Sequence, residues 1–203
     1  MSIKTAYTTG ARGIALRSMT GLARTRVTPN MLTATGVTLC AVGAVLVYFE
    51  YRNELLFFWA GALAFIVGSV LDILDGALAR AGGKQSPFGG FLDSTLDRVG
   101  EGLILGAVGL VFMRDDNEIA LALVLAALAG SFLVPYARAK AEGMGIKGDV
   151  GLGSRAERVT VISAGLILAP WGVLPWAIGV LAVTAWLTVV QRILHVRREL
   201  EKR

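Results

Sequence analysis

From Asp72 to Asp97 the chain reads DILDGALARAGGKQSPFGGFLDSTLD. Two helical stretches meet in it. Gly82-Gly83 breaks the first, and Ser86-Pro87 starts the second, with Ser as N-cap and Pro at the first helical position. Asp72, Gly76 and Ala79 fall at i, i+4 and i+7, on one face of the first helix, and Asp75 lies beside that face. Gly89, Asp93 and Asp97 step by four along one face of the second. Packed together, the two helices present four carboxylates at one spot, surrounded by small residues.

The flanks of this stretch are long apolar runs. The chain has 203 residues, 55% of them hydrophobic. A soluble domain of that size cannot hide so much apolar surface, and runs of this length indicate membrane spans. The expected fold is all-α. Spans are predicted over about 31–49, from Leu55 to near Arg80, from Pro87 to about Met113, over 119–140, from Ser154 to Pro170, and from Trp176 to Leu194 with a basic tail. Residues 3–26 alternate apolar and basic positions and are predicted as an amphipathic helix lying on the bilayer surface. The organisation expected is thus an N-terminal interfacial segment, 1–28, and one membrane domain of six helices, 29–203. No cleavable signal peptide is expected, and Gly143 to Gly153, with its repeated glycines, is predicted as a loop.

Charge sets the expected orientation. Six spans place both termini on one side. The loops near 50–54, 114–118 and 170–175 on the other side carry only Arg52 and Arg114 as basic residues. The positive-inside rule makes the terminal side, and the acidic cluster with it, cytoplasmic in a multi-pass protein of the cell membrane. The net charge of +5 then marks a face near anionic lipid rather than a nucleic-acid surface. A single cysteine, Cys40, excludes an intrachain disulfide, and a single histidine, His195, argues against a histidine-based zinc site or a Ser-His-Asp triad.

Four carboxylates at the ends of apolar helices repel one another strongly, and ionisable groups at membrane depth are costly. Pairing with Arg80, Arg98 and other bases is the bland explanation. Divalent metal resolves the whole cluster better, and all-oxygen ligands suit Mg²⁺, Mn²⁺ or Ca²⁺. Two ions account for four acids better than one. Gly76, Ala79 and Gly89 leave room for a substrate, and Arg80 supplies a charge suited to phosphate.

The residues Asp72-x2-Asp75-Gly76-x2-Ala79-Arg80-x8-Gly89-x3-Asp93-x3-Asp97 match the signature of the CDP-alcohol phosphotransferase family, which this chain resembles over nearly its whole length. The resemblance implies a magnesium-dependent enzyme that displaces CMP from a CDP-linked lipid. It further implies that Asp72, Asp75 and Asp93 bind metal, and that Asp97 touches metal and serves as general base. Asp72, Gly76, Ala79, Arg80 and Gly89 would line the CDP-lipid site, and a homodimer is the implied assembly. A carboxylate close to an incoming hydroxyl can indeed accept its proton.

Residues outside the signature choose the acceptor. The segments Pro135–Gly143, Gly148-Asp149, Ser154–Arg158 and Gln191-Arg192 resemble the phosphatidylinositol-phosphate synthases of actinobacteria, which join inositol 1-phosphate to CDP-diacylglycerol. By that resemblance Arg138, Arg155, Arg158 and Arg192 form the acceptor pocket. Pro135 and Arg138 depart from the Ser and Lys that those enzymes carry. Electrostatics agrees with a phosphorylated acceptor, which needs several cations. Glycerol 3-phosphate, the acceptor of phosphatidylglycerol-phosphate synthases, meets the same requirement. In a different class, a divalent-cation transporter would also use acids within spans, but transporters bind near the midplane through broken helices.

Overall fold

The computed structural model describes residues 28–81, 83, 86–151 and 153–202; the interfacial helix expected over 3–26 lies outside them. Every regular element among the described residues is helical. α1 spans Pro29–Tyr48, α2 Glu54–Ala81, α3 Pro87–Arg114, α4 Glu118–Gly143, α5 Arg155–Ile167 and α6 Leu174–Glu201. Short 3-10 turns at Glu50–Arg52 and Ala169–Trp171 shape two of the connections.

Local chemistry sets the helix ends. The Ser86 hydroxyl accepts from the Gly89 amide at 2.9 Å, so α3 begins at Pro87 as the Ser-Pro signal predicts. Ser154 and Glu157 form a reciprocal capping box at the start of α5. Asn117 caps α4 through the Ala120 amide. Pro135 lies inside α4, which runs on to Gly143 without it. The proline only withholds the amide that would have reached the carbonyl one turn earlier. The basic tail continues α6 to Glu201, where Arg197 pairs with Glu201 at 2.7 Å.

Among the described residues, four helices are long and apolar enough to cross a membrane: Pro29–Tyr48, Glu54–Arg80, Glu118–Gly143 and Leu174–Glu201. α3 and α5 were expected to be spans and do not join this group on length and composition. The N-terminal part of α3, as far as residue 101, carries Asp93, Asp97, Arg98 and Glu101. α5 has 13 residues, roughly 20 Å at 1.5 Å per residue, against a hydrocarbon core of about 30 Å.

The described residues form two compact units. The first comprises residues up to 39 and 67–100. The second comprises 40–66 and everything from 101 onward. In the second, Ile104 and Val108 of α3, Val124 and Ala127 of α4, Ile162 and Leu166 of α5, and Ile178 and Leu181 of α6 are almost fully buried in one core. Their helical spacing explains why these faces turn inward. α4 and α6 can pack closely because Gly130 has no side chain: a Cβ there would lie 2.8 Å from that of Ala185. The Trp186 indole fills the same seam and donates to the Ala126 carbonyl at 3.0 Å. Near the 3-10 turn after α1, Arg114 pairs with the buried Glu50 at 2.5 Å and lies over the Tyr48 and Tyr51 rings. Burial holds the Glu50 carboxyl above its ordinary pKa, an effect that Arg114 opposes.

Candidate metal centre and basic pocket

The first unit holds the acidic signature. Asp72 and Asp75 sit one turn apart near the end of α2, and both are buried, at 7% and 3% exposure. Asp93 stands in the second turn of α3, half-buried. One carboxylate oxygen from each lies within 4.8 Å of the other two. Oxygens sharing a single Mg²⁺ or Ca²⁺ at about 2.0–2.6 Å lie at most roughly 4–5 Å apart. The three acids therefore fit a divalent cation in spacing, burial and donor type. Asp97 lies one turn beyond Asp93 and outside this group of three. Its carboxylate is half-buried and 3.9 Å from the Arg98 guanidinium.

A cavity of about 490 Å³ opens beside Asp75 and Asp93; Asp72, expected to line the CDP-lipid site, is not among its lining residues. Its lining includes Asp75, Gly76, Ala79, Arg80, Gly89 and Asp93, so the small residues and the arginine of the signature do share one space. Gly89 has a local reason to be glycine. A Cβ there would lie 3.0 Å from the Ser86 hydroxyl that caps its own amide.

α1 also contributes to this cavity through Thr28, Pro29, Asn30 and Thr33, and the sequence reading did not single these out. No position of the acidic signature falls before residue 72, and a lone hydroxyl on an apolar helix carries little signal. Beside Thr33 stands Gly36, where a Cβ would sit 2.8 Å from the Gly68 carbonyl. Its absence lets α1 approach α2 closely.

The basic residues predicted for the acceptor belong to the second unit. Arg138, Arg158 and Arg192 all grip the segment between α4 and α5. Arg138 pairs with Glu142 at 2.8 Å and Asp149 at 3.4 Å. Arg192, 7% exposed, donates from Nε to the Val150 carbonyl at 2.9 Å and from Nη1 to the Val134 carbonyl. Arg158 donates from Nη1 to the Gly153 carbonyl at 2.9 Å. Its Nε and Nη2 form a fork with Glu101 at 2.8 and 2.9 Å, in a pair whose side chains are each 7% exposed. Arg155, half-buried, opens α5 immediately after the Ser154 cap. The resemblance placed Arg155 and Arg158 together as candidates; the structure gives Arg158 an acidic partner, Glu101, far from it in the sequence.

Comparison with known proteins gives this geometry a context. Residues 26–198 match the model of the CDP-alcohol phosphatidyltransferase family. The chain is 37% identical over 189 residues to a phosphatidylinositol phosphate synthase of Streptomyces avermitilis, covering 88% of this chain and 75% of that protein. It is 35% identical over 183 residues to an archaetidylinositol phosphate synthase of Pyrococcus horikoshii, covering 89% of each. Among solved structures, it resembles the phosphatidylinositol phosphate synthase of Mycobacterium tuberculosis with CDP-DAG bound. The TM-score is 0.80 at 29% identity, over 90% of this chain and 93% of that one. The same mycobacterial protein in complex with manganese and citrate matches with a TM-score of 0.78 at 30% identity, over 90% and 88%.

Proposed function

The chain belongs to the CDP-alcohol phosphatidyltransferase family, and from that premise we propose that it transfers the phosphatidyl group of CDP-diacylglycerol to inositol 1-phosphate and releases CMP. The observation that carries this reading is the group Asp72, Asp75 and Asp93, two of them buried and the third half-buried, beside a cavity lined by Gly76, Ala79, Arg80 and Gly89. The named activity of the Streptomyces and mycobacterial relatives supports the acceptor.

Asp72, Asp75 and Asp93 would hold Mg²⁺ or Mn²⁺, with Asp97 completing a site for two ions. Bound there, the cation offsets charge on the diphosphate and on the departing CMP. Gly76, Ala79 and Gly89 keep the cavity open for the CDP moiety, and Arg80 answers its phosphates. Asp97 takes the proton of the attacking inositol hydroxyl. Arg138, Arg155 and Arg192 supply positive charge for the acceptor phosphate. Arg158, neutralised by Glu101, acts on the acceptor through its hold on Gly153. The four long apolar helices support a membrane protein. We read α3 and α5 as two further spans, with both termini and the acidic site on the cytoplasmic side, and the functional form as a homodimer.

An acceptor panel with CDP-diacylglycerol and Mg²⁺ tests the proposal: inositol 1-phosphate, glycerol 3-phosphate, free inositol and serine. The expected result is clear preference for inositol 1-phosphate and poor use of free inositol. A charge-assisted contact contributes on the order of 1.5–3 kcal/mol. Arg155→Ala should therefore raise the acceptor KM tens-fold and leave that for CDP-diacylglycerol nearly unchanged. Equal use of inositol and its phosphate would defeat the acceptor assignment. Preference for glycerol 3-phosphate would keep the reaction class and change only the alcohol.

A further inference from the structure

We propose that Thr33 is a positioning residue for the metal centre, its hydroxyl fixing the carboxylate of Asp75. The inference rests on the reading of Asp72, Asp75 and Asp93 as the cation site.

Thr33 lies on α1 and is 3% exposed. Its hydroxyl donates to Asp75 Oδ2, and the Pro29 carbonyl lies 3.1 Å away. A hydroxyl has one hydrogen to give. A carboxylate is the stronger acceptor of the two. The contact belongs to a seam between two helices running in opposite directions. One turn along from Thr33, a Cβ on Gly36 would lie 3.6 Å from that of Asp72 and 2.8 Å from the Gly68 carbonyl. The bare backbone at Gly36 thus brings α1 near enough for Thr33 to reach Asp75.

A carboxylate on a helix can rotate about two side-chain bonds. A buried donor on one oxygen selects one rotamer and leaves the other oxygen for a cation. It also partly offsets like-charge repulsion among the three acids before a cation arrives. Groups that orient metal ligands in this way typically contribute about 10–100-fold to metal affinity. The competing explanation is local. Threonine in a helix often donates to the carbonyl one turn back, here that of Pro29, for no purpose beyond satisfying itself. The two explanations differ in what valine, of nearly the same shape, would do.

The test is titration of the purified full chain with Mn²⁺, in detergent and without substrates, with free Mn²⁺ read by electron paramagnetic resonance. Thr33→Val should weaken Mn²⁺ binding about 10–100-fold, and Thr33→Ser should keep wild-type affinity. Thermal unfolding without metal should be the same for all three proteins. Should the valine variant not fold, Thr33→Ala removes the same hydroxyl and carries the same expectation. Asp75→Asn is the control. If it binds Mn²⁺ like the wild type, the metal centre itself is misassigned. If it loses Mn²⁺ while the valine or alanine variant retains full affinity, the centre stands and the role of Thr33 is overturned.

Discussion

Asp97→Asn is expected to slow turnover about 10²–10⁴-fold, the usual contribution of a general base, while binding of CDP-diacylglycerol in the presence of Mg²⁺ survives. The reason lies in the division of labour on α3. Asp93 faces Asp72 and Asp75 as one of three converging carboxylates, whereas Asp97 stands a turn further on, outside that group. An amide at position 97 can still accept a hydrogen bond, but it cannot take up the proton that leaves the acceptor hydroxyl. Loss should therefore fall on the chemical step. Single-turnover CMP release, compared with equilibrium binding of the CDP-lipid, separates the two effects. Asp72→Asn should differ by weakening metal and nucleotide binding together. A near-normal single-turnover rate in the Asp97 variant would move the base elsewhere.

The second large effect concerns stability. Arg158→Ala is expected to destabilise the folded protein by about 3–5 kcal/mol, as removal of one member of a buried ion pair generally does. The substitution strands Glu101, whose side chain is 7% exposed, and it frees the Gly153 carbonyl. That carbonyl immediately precedes the Ser154 cap and Arg155, so the start of α5 should loosen as well. Replacing both partners, in Glu101→Leu with Arg158→Met, should recover much of the loss, because no uncompensated charge then remains buried. Unfolding in detergent, followed by circular dichroism against temperature, provides the comparison. A single variant as stable as the wild type would mean that the pair contributes little, and that Arg158 is available to the acceptor after all. Arg155→Ala is the useful contrast, since it should change the acceptor KM and leave the unfolding temperature in place.

Much of the molecule was legible in its sequence, and the reasons are local. Apolar run length sets helix type and approximate extent. Ser86-Pro87 and Ser154 mark helix starts within a few residues, because the groups that satisfy orphan amides are neighbours in the chain. The steps of three and four within 72–97 put Asp72 and Asp75 on one side of α2 and Asp93 and Asp97 on one side of α3, since helical periodicity decides which side chains of a helix share a side; that three of the four converge, and Asp97 does not join them, depends on the packing. Other features needed the folded chain. The end of α5 is one: the helix stops at Ile167, short of the Pro170 expected for it. The pairing of Arg158 with Glu101, 57 residues apart, is another, and so is the reach of Thr33 to Asp75 across 42 residues. A helix pattern specifies the direction of a side chain relative to its own axis. Which partner waits there depends on how closely two axes approach, and here that is governed by Gly36 and Gly130, where the absence of a side chain lets one backbone settle against another.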